Sequence, residues 1–549
     1  MNIPQYTSGT IHHALARLAR RRPRHAALLW DGEVFTWEDL FLQTLAMTEA
    51  LVDAGVRPGS TVAVWGTSAP FHVISLCAAG MVEAVQMPLN PRWQRAFLRE
   101  VSSRASVLIT DGRLEVPRVV RAGKILSWSS RERATPRSGG PWPSSAAENS
   151  PVTVDFTRGG ATAFPRGAVL THAMVLGNAS GTAQVLGLGG DDSVACLFPA
   201  WQHPHELVGK GLVTGCTTVA VDFPYPRTIL ALLYRHSPTW VIASPRVLEG
   251  VLPFGDRVTE ALGGVSGVVL VGDYAKPRLI SRLAAAGLRL MNAWGSAETS
   301  GIALMGPITP DTLDVCGLPC PGYEASLRSN GGGREGELLL RGEAVSLAYF
   351  DKQPARGPEG WFATGDLARL TADGGLRLAG RPGEAVLREG RPISLVRLEN
   401  ALARVPGVAD SAAIITETEP SLPTIYVEHG EGPLSVTSMV ERLRRFFRSD
   451  LPQIHILTAL PRMPDGRIDK SALASGRFPS MGIDAIDKAL LGLINTRASS
   501  IASTSRSDET PLSADEAVLQ RMVGSNTGPL FDDSVREIFT CIIDHCRRT

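Results

Sequence analysis

Six short apolar runs alternate with longer stretches of helical character, and this alternation constrains the fold more than any other feature. The runs are VAVWG (62–66), SVLITDG (106–112), SVACLFPAW (193–201), TTVAVDF (217–223), PTWVIASP (238–245) and GVVLVGD (267–273). They are short, rich in β-branched residues and bounded by Gly, Pro or Asp, which is the pattern of strands buried on both faces. Helical segments separate several of them: Pro70 to Gly80, residues 173–186 ending in Gly187-Leu188-Gly189-Gly190, and ISRLAAAGL before residue 289. Strand and helix in alternation predict an α/β fold with a doubly wound sheet. At the start, AALLW and VFTW flank an Asp31-Gly32 turn, and a helix opens after Thr36 at Glu38-Asp39.

A chain of 549 residues is too long for one core and divides into several folding units. Hydrophobic residues make up 44%, charged residues 20%, and the net charge is +1, a soluble globular composition with no bulk attraction for nucleic acid. Seven scattered cysteines, among them Cys77, Cys196 and Cys216 in apolar company, fit buried thiols in a reducing cytoplasm. Cys316 and Cys320 lack a second Cys/His pair at zinc spacing. The N-terminal segment from His12 to Arg22 reads as an amphipathic surface helix ending at Pro23, not as a cleavable signal. No apolar run reaches the roughly 20 residues of a membrane span, so no membrane partner is expected.

Val154 to His172, VDFTRGGATAFPRGAVLTH, carries the strongest chemical signal. Gly159-Gly160 allows backbone N–H groups to approach an anion closely. Thr157 and Thr162 offer hydroxyls, and Arg158 and Arg166 offer fixed positive charge. The stretch reads either as a loop around nucleotide phosphates or as an ordinary Gly-rich hairpin turn. Just before it, Ser127 to Ser150 is rich in Ser, Pro and Arg and reads as an exposed mobile loop. Leu188 to Ser193, LGGDDS, imitates a phosphopantetheine attachment site, but its place between a helix and a buried strand makes it a tight turn.

From residue 312 the texture turns to strands and turns, with a hairpin at Asp373-Gly374-Gly375. Gly380 to Gly383 marks a hinge, and a compact α/β segment runs to about 476. The tail, 477–549, reads as three helices: one with the stripe Ile483, Ile486, Leu490, Leu491, Leu493 and Ile494, a second at EAVLQRMVGSN, and a third starting near Asp532-Asp533. So small an all-helical unit buries little alone and is expected to form a homodimer.

Together these stretches resemble the adenylate-forming superfamily of acyl- and aryl-CoA synthetases, luciferases and peptide-synthetase adenylation domains. FTRGGATAFPRG resembles its phosphate loop, NAWGSAET its Gly-Tyr-Gly-x-Thr-Glu segment, WFATGDLARL and LAGRPGE its Thr-Gly-Asp and Gly-Arg-x-Asp segments, and PRMPDGRIDKSAL its terminal Gly-Lys-Ile motif. The resemblance spans residues 10–476 and implies a large domain (1–379), a small mobile domain (380–476) and the separate tail (477–549). It implies ATP and Mg²⁺, with Thr157, Gly159, Gly160, Thr162 and Arg166 around phosphates, Trp294 on adenine, Glu298 holding Mg²⁺, and Asp366 with Arg381 at the ribose. The expected reaction joins a small-molecule carboxylic acid to AMP. The acyl group then passes to CoA or to the phosphopantetheine of a separate carrier protein. Gln202, His203, Gly272, Asp273 and Tyr274 fall where the acid would lie, in a pattern nearer the aryl-acid branch.

The sequence departs from that pattern. Arg158 stands for Ser, Arg166 for Lys, Ala297 for a hydroxyl residue, Gly383 for an acid, and Arg467 for the adenylation lysine. Arginine keeps the charge, but its planar head does not fit a site built for an ammonium. An adapted ligase, an adenylate-former with an unusual nucleophile, and a non-catalytic ligand-binding scaffold are all open readings. The tail resembles the all-helical chorismate mutases, with Arg497 matching one anion-binding arginine and Arg506 a candidate second. That fusion points to a chorismate-derived aromatic acid.

Overall fold

The computed structural model describes residues 9–129, 135–137, 146–157, 165–308, 315–329, 334–372, 374–380, 385–388, 391–415, 422–430, 432–447, 450–462, 468–476, 494, 518–523 and 532–547. Contacts divide the chain into two units, Met1–Leu378 and Ala379–Thr549.

The first unit is α/β and holds two large sheets. A six-stranded sheet runs, in spatial order, Lys124–Ser127, Val107–Thr110, Thr61–Trp65, Val85–Pro88, Pro151–Phe156 and Gly167–Thr171. All neighbours are parallel except the last pair. The second sheet has a parallel core of Arg289–Ser296, Gly267–Val271, Trp240–Ala243, Ser193–Leu197, Thr217–Ala220 and Ala26–Trp30. It continues through six further strands, from Gly301–Pro307 to Tyr323–Arg328, and ends at its other edge in antiparallel Glu33–Thr36, giving 13 strands in all. That extension is the β-rich texture read after residue 312.

Period-two alternation explains how the sheets are covered. Val194 and Cys196 face one core while Ala195 and Leu197 face another. Likewise Val62 and Val64 enter the shared core, whereas Ala63 and Trp65 turn to a separate one. The shared core holds helix Ala69–Met81, which touches strands of both sheets. Its sequence, APFHVISLCAAGM, is apolar all round, and every one of its residues is buried. Ser68 caps its start, and the Asp111 carboxylate accepts the Thr67 and Ser68 N–H groups at 2.9 Å. Helix His172–Leu186 packs in the same layer, capped by Thr171 and stopped by Gly187 in the left-handed conformation (φ 68°).

Helix Ile11–Arg21 is amphipathic as expected: Ile11, His12, Ala14 and Leu15 are buried on one face, and His13, Arg20 and Arg21 are exposed. Other expectations need correction. The loop expected from Ser127 begins only after a strand, Lys124–Ser127. Within it Arg137 is tied to Glu49 and Asp53, while 130–134 and 138–145 lie outside the described residues. Helices Arg95–Ser102, Pro226–His236 and Asp256–Leu262 lie in connections whose sequence was not read as helix. LGGDDS forms the turn expected of it, with Asp192 accepting the Gly189 N–H at 2.6 Å.

The second unit has its own cores. Strands Val408–Ile415, Pro423–His429 and Ile454–Leu457 form a sheet backed by helices Leu395–Leu402 and Val436–Arg444. Glu399 is half-buried there and accepts from the Lys470 ammonium (2.8 Å) and the Ala413 N–H (2.7 Å). Of the tail, helix Asp532–Arg547 is described.

Candidate active site

In a doubly wound sheet the ligand crevice opens at the carboxyl ends of strands, where the connections reverse direction. Strand Ser193–Leu197 is such a point: Thr217–Ala220 lies on one side of it and Trp240–Ala243 on the other. Its carboxyl end leads into Phe198, Trp201, Gln202 and His203, then a 3₁₀ turn at Pro204–Leu207. Strand Arg289–Ser296 delivers Trp294, and the turn Ala297–Thr299 that follows carries Glu298. The other sheet meets this turn through strands Pro151–Phe156 and Gly167–Thr171.

Three groups of side chains gather here. Glu298 is 8% exposed, and its Oε1 accepts the Tyr349 hydroxyl at 2.8 Å. Burial, then the nearby Glu298 carboxylate, pushes the Tyr349 phenol above its usual range, which keeps it a donor. The Arg166 guanidinium lies 3.4 Å from the centre of the Tyr349 ring. Arg166 also closes the base of the Gly-rich loop: its N–H donates to Thr157 Oγ1 (2.9 Å), and Thr157 N–H donates to its carbonyl (2.8 Å). Trp294 and Asp366 form the second group, with the indole N–H donating to Asp366 Oδ2 at 2.7 Å.

The third group lies around His203. Its Nδ1 donates to both oxygens of Asp155, at 3.0 and 3.1 Å, and its ring meets Phe198 edge-on at 5.8 Å. His205, in the same loop, is 2% exposed and donates from Nε2 to the Ser300 carbonyl. Burial lowers its basicity against the opposing pull of Asp155. Beside it Glu206 and Lys210 form a buried ion pair. Burial disfavours both charges, yet each holds the other ionised, Glu206 shifted down and Lys210 up.

Of the other residues expected here, Gly272 and Asp273 are exposed at the carboxyl end of Gly267–Val271, and Tyr274 is half-buried beside them. Gln202 sits in the turn after Pro199. Gly159, Gly160, Thr162, Arg381, Arg467, Arg497 and Arg506 lie outside the described residues. Asp155, Tyr349, Glu206 and Lys210 are site neighbours that the sequence reading missed.

The site fits a hard cation held mainly by a ligand. Among the described residues Glu298 Oε2 accepts no protein hydrogen bond, and no cluster of three metal-ligating side chains is present. Magnesium binds in this way, through one or two carboxylates plus phosphate oxygens and water. Cys316 and Cys320 are buried free thiols. No described helix is long and apolar enough to cross a membrane.

The model of the AMP-binding enzyme family matches residues 15–350. The chain belongs to that family, and as a member it is an ATP-dependent ligase that activates a carboxylic acid. It is 26% identical over 519 residues to novobiocin biosynthesis protein H of Streptomyces niveus, covering 85% of this chain and 82% of that one. It is 25% identical over 503 residues to an L-proline–[L-prolyl-carrier protein] ligase of Pseudomonas fluorescens, covering 84% and 98%. Among solved structures, the anthranilate CoA ligase AuaEII in complex with anthranoyl-AMP superposes with a TM-score of 0.73 at 21% identity, covering 87% and 99%.

Proposed function

We propose that this ligase activates an aromatic carboxylic acid, derived from chorismate, as its aryl-adenylate, and passes the acyl group to CoA or to a separate carrier protein. The observation that carries the nucleotide half is the grouping of Glu298, Tyr349 and Arg166 at one turn with the Trp294–Asp366 pair. Trp294 offers a face for adenine and Asp366 accepts ribose hydroxyls. Arg166, with Thr157 and the Gly159-Gly160 loop, holds phosphates, and Arg381 and Arg467 belong to the same chemistry. A carboxylate oxygen of the acid attacks the α-phosphorus, the new C(O)–O–P bond forms, and pyrophosphate leaves. Magnesium on Glu298 would offset charge on the phosphates.

The acid would sit by His203, Gln202 and the Gly272-Asp273-Tyr274 corner. Phe198 edge-on to His203 and Trp201 edge-on to Phe223 supply aromatic surface on that side. Names among the relatives, such as the anthranilate CoA ligase, favour an aryl acid, and the prolyl-carrier ligase keeps a carrier acceptor in view. The fused tail, read as a chorismate mutase-like dimerisation module carrying Arg497 and Arg506, motivates the chorismate origin. The test is ATP–pyrophosphate exchange with Mg²⁺ across salicylate, hydroxybenzoates, aminobenzoates and cinnamates. Exchange with one of them supports the reading. Exchange with aliphatic acids alone removes the aromatic assignment. For the tail, light scattering should give twice the chain mass of 58.6 kDa.

A further inference from the structure

A carboxylate 1% exposed inside a buried strand is costly unless it is paired. Asp155 is such a group. Its described side-chain hydrogen bonds run to one partner, His203 Nδ1, at 3.0 and 3.1 Å. His205 Nε2 comes within 4.0 Å of Oδ2, but its proton goes to the Ser300 carbonyl at 3.2 Å. Compensation for the buried anion therefore comes from the Nδ1–H of His203.

That bond fixes the His203 tautomer and ring plane, and it turns Nε2 away from Asp155. The His203 side chain is 33% exposed, so the ring is accessible while its anchor is not. Asp155 lies two residues before Thr157, which closes the base of the Gly-rich loop, and His203 belongs to the loop at the sheet's switch point. The pair thus ties the phosphate side of the crevice to the acid side. We propose that Asp155 is a positioning residue for acid activation, holding His203 so that its Nε2 meets the carboxylic acid beside the α-phosphate. This rests on the reading that the His203 pocket takes the acid.

The test is a double-mutant cycle in pyrophosphate exchange, using the full chain, with Asp155→Asn, His203→Ala and the pair of changes together. Asp155→Asn keeps volume and is expected to lower kcat/KM for the acid by roughly 10- to 100-fold, the scale of one charge-assisted hydrogen bond, with KM for ATP unchanged. In the His203→Ala background the same change should cost no more than about twofold, because Asp155 would act only through that ring. Equal losses in both backgrounds overturn the proposal. A second readout needs no turnover: diethyl pyrocarbonate labelling of His203, followed by peptide mapping, with and without salicylate and ATP. Asp155→Asn should change the labelling rate of His203 and weaken its protection by the ligands. An unchanged rate and unchanged protection overturn the proposal. A wild type that exchanges no pyrophosphate with any acid would count against acid activation, and the labelling arm would still decide the role of Asp155.

Discussion

Tyr349→Phe removes one oxygen from the site and leaves the ring in place. The hydroxyl is 2.8 Å from Glu298 Oε1, and Tyr349 is 6% exposed, so water cannot readily replace the lost donor. A hydrogen bond to a buried charge is worth about 1.5–3 kcal/mol, which corresponds to roughly 10- to 150-fold. The Arg166 contact at 3.4 Å is a face interaction that phenylalanine keeps in weaker form. The loss should therefore fall on Glu298 and what it binds. In pyrophosphate exchange at saturating acid, kcat/KM for ATP should drop by that factor and the Mg²⁺ requirement should rise. KM for the acid should stay within about twofold, because uniform acid binding is untouched. Glu298→Gln, which removes the charge, should show a larger loss. Wild-type kinetics and Mg²⁺ dependence in Tyr349→Phe would refute the claim that Tyr349 orients Glu298.

Lys210→Met strands the Glu206 carboxylate in a buried site and should cost about 3–5 kcal/mol in urea unfolding, with most of it recovered on adding Glu206→Gln. Burial first, then the charges of His172 and His13, pushes His12 down to about 3; burial and then His13 push His172 to about 3. The unfolded chain binds protons there near pH 6.5, so stability is full above that value and is lost as pH falls toward 3, by at most about 1.4 kcal/mol per pH unit for each ring. His172→Gln should flatten the dependence of the urea midpoint between pH 7 and 5, and an unchanged slope would refute this. Arg467→Lys should raise pyrophosphate exchange by roughly tenfold, about 1.4 kcal/mol of barrier, if the arginine limits the first half-reaction; a fall would mark Arg467 as an adapted residue.

The α/β architecture was legible because the strands are buried on both faces and read as unbroken apolar runs. The helix Ala69–Met81 was legible for a related reason, since a helix apolar on all sides can only be interior. Trp294, Glu298 and Asp366 stood out through contiguous motifs, and the structure brings Trp294 and Asp366 into contact across 72 residues. Tyr349 had no such motif: it serves Glu298 from 51 positions away. Asp155 did leave a mark, a lone charge inside VTVDF, but its partner lies 48 residues on and pairing at that range has no local signature. Helix Pro226–His236 carried a readable stripe of Ile229, Leu230 and Leu233 behind an initial proline.

One short turn, Ala297–Thr299, with the residue that follows it, gathers much of the buried polar structure of the first unit. Glu298 takes the Tyr349 hydroxyl, and its carbonyl accepts the Ser346 N–H at 2.7 Å. The Thr299 carbonyl accepts from Tyr323 (2.5 Å) and Asn178 (3.3 Å), and Ser300 Oγ donates to the Ala344 carbonyl at 2.7 Å. The Ser300 carbonyl takes His205, which stands next to the Asp155–His203 pair. Gly301 follows at φ 118°, where a Cβ would fall 2.1 Å from Glu206 Oε1. Partners from four separate segments thus fix three consecutive residues, Glu298, Thr299 and Ser300, each through a buried polar group that pays only if it is satisfied. Hydrogen bonds of that kind specify position more than they add stability. In the proposed site, a turn held this firmly keeps the Glu298 carboxylate in place as acid and nucleotide bind, which an attack on the α-phosphorus requires.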